Sequence, residues 1–525
     1  FNGNRTATVL PDGRQINYLY YGSGHLHQIS LDDEVISDIE RDQLHREIYR
    51  TQGKLASRYE LDPLGRLKRQ IATLNDLTEG GKGKTKVVAG YGQTAVKRSY
   101  GYDRTGNLTY STDQRTGTTH FEYDKLGRIT QAGNEVFAFD PAHNILSDNN
   151  SPTITDNRLK TYNGTTYYYD HFGNLIHREL ADGEVQNYFY DLHDQLVKAE
   201  IFKKDGSKET WAYSYDALGR RIGKGRLKNE EVSDDLEEET GFVWDGSHLL
   251  QEVQPDGRYT YIYTNPGSYE PLAQVHNRTN EEGESCQETH YFHCDQIGIP
   301  REMTDKDGNL VWFGDYYGWG KLKSETKVTD SAYQPFRLQN QYCDEETGLH
   351  YNFFRYYDSR IGRFNNQDPI GLVGGENFYA FAPNAQVWVD PLGLNKCCEN
   401  SKVKTEPNTA FFWSGRTDGI GGQHIAADIA KSNGGTTLEM LIEARKIIMP
   451  TWDQNNQASI KAWEDISSEY ATCASGTVTG VIGKDLRPGN IWENRELPAL
   501  KNIPNITIIV IIDPKTKIST VIFQR

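Results

Sequence analysis

A short unit recurs along the first half of the chain and constrains its fold more than any other feature. In its clear copies an aromatic residue precedes aspartate, and glycine follows three residues after the aspartate. Aspartate can cap a tight turn through its own backbone, and glycine can take the positive φ angle that such turns need. Each copy therefore predicts a strand, a tight turn and a second strand. The clear copies are Tyr102–Gly106, Tyr123–Gly127, Tyr169–Gly173 and Tyr215–Gly219, and degenerate copies are Leu61–Gly65, Phe139-Asp140 and Tyr190-Asp191.

One such unit cannot bury its own face, so the copies must stack into a continuous sheet. Composition agrees, because 32 Tyr and 49 Gly against 3 Met favour strands and turns over helices. An ordinary β-sandwich with coincidental turns is the alternative, and seven copies argue against it. We therefore predict a mostly β protein, and a length of 525 residues indicates two or more domains.

Charge divides the chain near residue 394. Residues 1–394 carry 42 Lys and Arg against 59 Asp and Glu, a net charge of −17, whereas residues 395–525 carry 15 against 14, a net charge of +1. The acidic first part is not expected to bind nucleic acid. No stretch approaches the ~20 apolar residues that cross a bilayer, so we expect no stable membrane span. Because the chain begins at Phe1, we expect a fragment or processed product whose missing front carries delivery information.

The six cysteines lack the spacing of a metal site or of a disulfide framework. We therefore predict free thiols, no structural disulfide and no metal site. They are Cys286, Cys294, Cys343, Cys397, Cys398 and Cys473.

The recurring unit resembles the YD repeats of the Rhs family, in which a long β-sheet winds into a hollow cocoon. Tyr291–Pro300 is similar to that family's histidine-aspartate-glycine-proline repeat. The segments Asn340–Asp358, Arg360–Phe364, Gln367–Leu372 and Asp390–Leu394 resemble its core terminus. The resemblance implies a YD-repeat shell at residues 1–336 and a core-terminal autoproteolysis segment at 337–394.

In the Rhs family the chain is cut just after the last of these segments, here between Leu394 and Asn395. Two aspartates inside a dry shell would share one proton, so that one activates water as a base and the other polarises the carbonyl as an acid. Asp368 and Asp390 match the residues to which the family's self-cleavage is attributed, and Arg363 is a candidate for holding one of them ionised. The alternative is that both aspartates only cap turns before proline.

Residues 411–525 are predicted to form a small α/β toxin domain after a linker at 395–410. Apolar spacing predicts helices over residues 438–448 and 460–474. Two β-branched apolar runs, residues 506–512 and 518–523, predict a buried terminal hairpin.

The residues of this domain exclude several chemistries. His424 is its sole histidine, so two-histidine ribonuclease mechanisms and histidine-rich metal sites are unavailable. It has no basic cluster for phosphate and no P-loop, and Cys473 is expected in the core. Aromatic walls and acids remain, which suit a flat cationic ring attached to a sugar. They are Trp413, Trp452, Trp463, Trp492, Glu439, Glu493 and Glu496.

Four segments resemble, in order, motifs of the ADP-ribosyl cyclase family. They are Phe412–Ser414, Thr437–Glu439, Trp463–Ala471 and Asn490–Leu497. The resemblance implies that Glu496 is the catalytic glutamate, which stabilises the oxocarbenium-like ribose when the bond to nicotinamide breaks. It also implies that Trp413 and Trp463 stack on nicotinamide, that Glu439 binds the carboxamide and that Ser414 and Ser467 contact the phosphates. Trp492 is the further candidate for the substrate-binding wall.

The sequence departs from that family at Gly415, which separates Ser414 from Arg416 and displaces the basic residue of the motif. Without the resemblance, Trp463 would be assigned to the core and Glu496 to a solvated loop. Glu439 would then serve only to complement the dipole of a helix beginning after Thr436 or Thr437.

Together the resemblances imply an Rhs effector whose cage releases a toxin that hydrolyses NAD or NADP, with no further cofactor. A cognate immunity protein and VgrG- or PAAR-type components of a type VI secretion system, engaged through the missing N-terminal region, are the implied partners. The protein would be made in the bacterial cytoplasm and secreted, and the toxin would act in the cytoplasm of the target cell. Two alternatives are an ADP-ribosyltransferase acting on protein or RNA, and a non-enzymatic surface or adhesion protein.

Overall fold

The structure is a computed structural model that describes residues 4–22, 24–74, 94–147, 154–228, 236–279, 284–394, 397–398, 403–447, 449–453, 456–487, 490–502 and 506–524. Strands account for 50% of the residues and helices for 9%, so the prediction of a mostly β protein is confirmed. The chain divides into two compact units. The first contains residues 1–368, 376–387 and 391–393, and the second contains residues 369–375, 388–390 and 394–525. No helix among the described residues is long and apolar enough to cross a membrane.

The first unit opens with a twelve-stranded meander in which each strand pairs antiparallel with the next. Its strands are β1 (Ala7–Val9), β2 (Gln15–Tyr21), β3 (His25–Leu31), β4 (Glu34–Arg41), β5 (Glu47–Gln52), β6 (Leu55–Leu61), β7 (Leu67–Leu74), β8 (Thr94–Tyr102), β9 (Leu108–Asp113), β10 (Gly117–Tyr123), β11 (Ile129–Ala132) and β12 (Glu135–Val136). A two-stranded ribbon follows, formed by β13 (Ala138–Phe139) and β14 (Ile145–Leu146).

A second meander of fifteen strands continues in the same antiparallel order. Its strands are β15 (Thr161–Tyr162), β16 (Thr165–Tyr169), β17 (Leu175–Glu179), β18 (Val185–Tyr190), β19 (Leu196–Phe202), β20 (Lys208–Tyr215), β21 (Arg221–Leu227), β22 (Leu236–Asp245), β23 (His248–Gln254), β24 (Gly257–Tyr263), β25 (Pro271–Thr279), β26 (Ser285–Cys294), β27 (Pro300–Asp305), β28 (Leu310–Tyr316) and β29 (Leu322–Lys327). A four-stranded sheet completes the unit, with β30 (Tyr342–Asp344), β31 (Leu349–Asn352), β32 (Arg355–Asp358) and β33 (Arg363–Phe364).

The predicted turn chemistry is confirmed at the recurring unit. Between β8 and β9, Asp103 Oδ1 accepts the backbone N–H groups of Thr105 and Asn107, both at 2.9 Å. Gly106 takes a φ of +101° in the same turn. The carboxylate therefore accepts backbone N–H groups that have no partner on a neighbouring strand at the tip of the turn. The chain reverses its direction within five residues.

The two meanders bury a shared apolar core and several ion pairs. Ile29 and Ile39 of the first meander pack in one cluster with Leu272 and Val275 of the second. Charges buried between them are paired, as in Arg98 of β8 with Glu302 of β27. Pairing is required there because an isolated buried charge is far more costly than a buried apolar group.

The second unit contains a five-stranded mixed sheet in the order β39 (Thr436–Thr437), β36 (Ala410–Ser414), β40 (Gly476–Ile482), β41 (Ile506–Ile512), β42 (Ser519–Gln524). The first four strands are parallel and the last is antiparallel. The helices are α1 (Gln423–Ser432), α2 (Leu438–Ala444), α3 (Gln457–Thr472) and α4 (Leu497–Asn502). Two short ribbons pair β34 (Trp388–Val389) with β35 (Cys397–Cys398) and β37 (Arg416–Thr417) with β38 (Ile420–Gly421).

Three predictions for this unit need correction. The helix predicted over residues 438–448 ends at Ala444, because Lys446 adopts a φ of +52°; Ile448 lies outside the described residues. The terminal hairpin forms, but β42 is not buried, since Val521 is 54% exposed. Cys473 is buried as predicted, yet it is disulfide-bonded, so the prediction of no structural disulfide was wrong.

Candidate active site

The candidate site of the second unit lies at the carboxyl ends of its parallel strands. From β36 the chain continues through α1 to β39 on one side, and from β40 it continues through α4 to β41 on the other. Such a reversal opens a crevice between the two central strands, where α/β sheets commonly bind ligands. Trp413 and Ser414 stand at the end of β36 and therefore face this edge of the sheet.

Trp413 and Glu439 are joined directly. The indole Nε1–H of Trp413 donates to Glu439 Oε1 at 2.8 Å. Glu439 lies in the first turn of α2, whose N-cap is Thr437, so the helix dipole also favours its negative charge. The second oxygen, Oε2, is buried and has no hydrogen-bond partner among the described residues. A buried carboxylate oxygen without a donor is costly, which marks this atom as ready to accept a donor from a ligand.

Glu496 is a deeply buried acid whose pKa is raised. It ends a π-helical turn, Trp492–Glu496, and is only 7% exposed. The hydroxyl of Ser467 on α3 donates to Glu496 Oε1. Burial raises the pKa of Glu496 to about 8, against the lowering effect of the Ser467 hydrogen bond and with a further raising effect from the charge of Glu439. The charge of Glu439 therefore contributes to the raised pKa of Glu496.

Tyr470 is a residue of this site that the sequence argument did not single out. Its hydroxyl donates to the carbonyl of Thr436 at 2.7 Å and accepts the backbone N–H of Phe411 at 3.0 Å. It thereby ties α3 to β39 and β36. Its place one turn after Ser467 in the helical motif was the available signal, and a buried tyrosine generally needs such partners.

The remaining predicted residues divide between the site and the core. Trp463 lies on α3 four residues before Ser467, on the same helical face, and its indole donates to the carbonyl of Pro450 at 2.9 Å. Ser414 is buried. Trp492 is 2% exposed and packs against Phe412 in the apolar core, so its prediction as a substrate-binding wall is not supported. The indole lies against Gly480 of β40 instead.

Asp368 of the first unit is held by an arginine other than the one predicted. The guanidinium of Arg355 pairs with Asp368 Oδ2 at 3.0 Å. The same guanidinium also donates to the carbonyl of Gly393, one residue before the predicted cut. Arg363 donates instead to Asn144 and to the carbonyl of Asn157.

The assignment of Arg363 to the aspartates is therefore corrected to Arg355. Both arginines belong to the core-terminal motif, at the starts of β33 and β32, and their spacing along the chain does not distinguish them. Arg355 is fully buried and its guanidinium lies 3.7 Å from the ring centroid of Phe364, which fixes its plane.

Asp390 lies in the second unit. Its Oδ1 accepts the backbone N–H of Leu394 at 2.9 Å, a turn of the kind that the capping alternative requires. Asn395, on the far side of the predicted cut, lies outside the described residues.

Two family models match segments of the first unit. A family model described as Teneurin YD-shell matches residues 83–233, and one described as RHS protein matches residues 289–326. The chain is 39% identical over 411 residues to Double-stranded DNA deaminase toxin A of Burkholderia cenocepacia strain H111, covering 74% of this chain and 28% of that protein. It is 29% identical over 456 residues to Toxin protein Tse5 of Pseudomonas aeruginosa strain PAO1, covering 75% of this chain and 33% of that protein.

Among solved structures, the fold is similar to the crystal structure of TcdB2-TccC3-TEV. The TM-score is 0.52 at 18% identity, covering 75% of this chain and 21% of that chain. The stacked meanders of the first unit and these matches make its fold similar to that of YD-repeat shells. The family models and curated relatives support the Rhs/YD-repeat toxin family for this chain. The chain spans about a third or less of the length of these curated relatives.

Proposed function

We propose that the chain is part of an Rhs-type effector whose second unit hydrolyses NAD or NADP to nicotinamide and ADP-ribose. The observation that carries the proposal is the pair of hydrogen bonds from Trp413 to Glu439 and from Ser467 to Glu496. Each of these four residues comes from a different one of the four segments that resemble ADP-ribosyl cyclases. The proposal takes these side chains, contributed by β36, α2, α3 and the π-helical turn, to act together at the edge of the sheet where β36 ends.

The chemistry follows from the charges at this edge. Breaking the bond between nicotinamide and ribose leaves positive charge on the anomeric carbon, and a buried carboxylate stabilises that charge strongly. Glu496 supplies the carboxylate, and Ser467 fixes its orientation. The free oxygen of Glu439 accepts the carboxamide N–H of nicotinamide, while Trp413 offers an aromatic face to the cationic ring.

A nucleic-acid deaminase is the competing class, because one relative is named a DNA deaminase. Zinc deaminases bind the metal through histidine and cysteine and use a glutamate as acid and base. The sequence holds one histidine after residue 394, His424, and no group of three metal-ligating side chains occurs among the described residues. The residues present therefore support cleavage of a dinucleotide better than zinc-dependent deamination.

The decisive assay is nicotinamide release from NAD by the full-length chain. Glu496→Gln should lower the rate at least about a hundredfold, the usual loss when a group that stabilises transition-state charge is removed. Glu443→Gln, an exposed acid on α2, is the matched control and should keep full activity. Intact NAD after incubation with a folded wild-type chain would overturn the proposal.

An ADP-ribosyltransferase would use the same glutamate with a macromolecular acceptor. NAD labelled in its adenosine moiety separates the two, because hydrolysis gives free ADP-ribose and transfer gives label on protein or RNA. A non-enzymatic adhesin would release no nicotinamide, and Glu496→Gln would leave its toxicity unchanged.

Self-cleavage after Leu394 is a second candidate activity, and Arg355 favours it. One guanidinium holds both a candidate catalytic acid, Asp368, and the carbonyl of Gly393 beside the scissile bond. Asp368 and Asp390 would act as base and acid. Intact-mass measurement should find a product ending at Leu394 in the wild type and none in Asp368→Asn or Asp390→Asn; a cut that persists in both variants would contradict an aspartyl mechanism.

We further propose the biological setting that the resemblance to Rhs effectors implies, and the two relatives named above are also called toxins. The effector would be secreted through a type VI apparatus by VgrG- or PAAR-type partners, and the second unit would act in the target-cell cytoplasm. A cognate immunity protein would block the edge of the sheet that carries Trp413.

A further inference from the structure

The segment just before the proposed cut, residues 391–393, is held within the first unit by three hydrogen-bond donors. Each donor serves one of three successive backbone carbonyls. The pairs are Asn340 Nδ2 with the carbonyl of Pro391 at 2.6 Å, the backbone N–H of Phe354 with the carbonyl of Leu392 at 3.2 Å, and Arg355 Nε with the carbonyl of Gly393. The first unit therefore binds this segment through its backbone at three consecutive points.

Gly393 permits only one register of the segment on the first unit. It takes a φ of +65°, and a Cβ added to it would lie 2.7 Å from the carbonyl oxygen of Asn352. Both features exclude a side chain at this place. If the segment slid by one residue in either direction, Leu392 or Leu394 would bring its Cβ against that oxygen. The bound register therefore always leaves the peptide bond between Leu394 and Asn395 one residue beyond the last held carbonyl.

Asn340 combines two properties that its position in the fold requires. It takes a φ of +60° in a turn that the N–H of Gln341 closes on the carbonyl of Leu338 at 2.9 Å. Glycine and aspartate also tolerate this backbone region, but neither carries a side-chain donor. The amide of Asn340 donates to the carbonyl of Ser247 at 3.3 Å as well, which ties the turn to the second meander. Contacts other than the one to Pro391 therefore hold this amide in place.

We propose that Asn340 is a positioning residue of the self-cleavage, and that its hydrogen bond to the carbonyl of Pro391 fixes which peptide bond is presented for the cut. The inference rests on the proposed self-cleavage and adds the residue that sets its place along the chain. Phe354 and Arg355 are neighbours and hold the end of the segment nearest the cut. A donor from a separate turn is needed to stop the segment from pivoting about them. Placement matters because a shift of about 1 Å can cost about a hundredfold in rate.

The test follows self-cleavage of the full-length chain by intact mass in Asn340→Asp and in the matched control Asn163→Asp. Aspartate keeps the shape of asparagine and its tolerance of a positive φ, but its carboxylate cannot donate. Asn340→Asp should slow formation of the product ending at Leu394 at least about tenfold. Asn163 lies in an exposed turn with a φ of +45°, so its variant should be cut at the wild-type rate. Cleavage of Asn340→Asp at the wild-type rate would overturn the proposal.

Hydrogen exchange of the Phe354 amide measures docking of the segment directly, because that N–H donates to the carbonyl of Leu392. In Asn340→Asp this amide should exchange at least about fivefold faster, the effect of losing one hydrogen bond, while β31 and β32 peptides keep their protection. A purely structural role would instead slow cleavage with unchanged exchange at Phe354, or with loss of protection throughout β31 and β32. Either result would overturn the proposal.

Gly393→Ala displaces the segment from its own side and should give the same two effects as Asn340→Asp. The double variant should be little slower than the slower single variant, because both substitutions undo one docking event, and independent multiplicative losses would contradict this.

Failure of the positioning role and failure of self-cleavage give different results. A wild-type chain cut after Leu394, with Asn340→Asp cut equally fast, would remove Asn340 and leave self-cleavage standing. An uncut wild-type chain would refute self-cleavage and with it the role of Asn340 in the cut. Faster exchange of Phe354 in Asn340→Asp would then still establish that Asn340 docks the segment.

Discussion

The hydroxyl of Tyr102 donates to the carbonyl oxygen of Leu67 at 2.9 Å, across 35 residues of sequence. Tyr102 precedes the aspartate of one turn, and Leu67 opens the strand that follows the preceding turn on the same edge of the meander. The relationship repeats along the unit, as in Tyr123 with Leu108 and Tyr190 with Leu175. In these copies the tyrosine hydroxyl therefore links one turn to the strand that follows the preceding turn, a contact that phenylalanine could not make.

Tyr102→Phe is therefore expected to destabilise the first meander by about 1 kcal/mol, the usual net contribution of one hydrogen bond. The ring and its packing against Arg66, 4.4 Å from the ring centroid, are retained, so the loss reports the hydroxyl alone. Hydrogen exchange of β7 and β8 peptides measures the change. Tyr168→Phe is the control, because that side chain is 46% exposed, and an equal effect of both substitutions would contradict the assignment.

Arg355→Lys is expected to slow self-cleavage after Leu394 at least about tenfold. Lysine keeps the charge but loses the planar fork that reaches Asp368 and Gly393 together. The time course of the product ending at Leu394, followed by intact mass, is the measurement. If the substitution moved the position of the cut along the chain, the intact mass of the product would change as well. Arg226→Lys, in a solvent-exposed pair with Glu237, should cleave at the wild-type rate.

Glu496→Gln is expected to stabilise the second unit increasingly as pH rises from 5 to 8. The pKa of Glu496 is raised from 4.5 to about 8 by burial. Between these values the unfolded chain is ionised while the folded site is protonated, so the unfolded state binds fewer protons and wild-type stability falls with pH. The limit is about 1.4 kcal/mol per pH unit and up to about 5 kcal/mol in total.

Hydrogen exchange of β36 and β40 peptides measures that difference in the full chain, because it reports the opening free energy of this unit alone. At pH 5 wild type and variant should nearly coincide. A constant difference at every pH would mean that the substitution acts through packing, and the raised pKa of Glu496 would then be contradicted.

Trp413→Phe is expected to raise KM for NAD about tenfold with a smaller effect on kcat. Phenylalanine keeps an aromatic face but removes the donor to Glu439, leaving that carboxylate poorly held. Initial-rate kinetics of nicotinamide release measure both constants. Trp452→Phe is the matched control, since Trp452 is 37% exposed, and an unchanged KM in Trp413→Phe would remove Trp413 from the site.

Several features of the fold could be predicted from sequence because their contacts are local. The turn at Asp103 closes through bonds to residues two and four positions away, so five residues contain the whole cause of the structure. The same locality explains why α3 and the pairing of β41 with β42 were predicted nearly to their ends. The first turn of α2 was found for the same reason, through the cap at Thr437.

Tertiary structure alone decided which side chains became partners. Arg355 and Arg363 have the same chemistry and stand in one motif, yet only the packing of β32 against Phe364 aims Arg355 at Asp368. From the sequence, Trp492 and Trp413 were equivalent aromatic candidates. In the structure Trp492 is buried in the core, whereas Trp413 is hydrogen-bonded to Glu439. The raised pKa of Glu496 likewise depends on burial by distant segments. Local sequence determines turns and periodicity, whereas orientation and burial emerge only when segments far apart in the chain exclude water together.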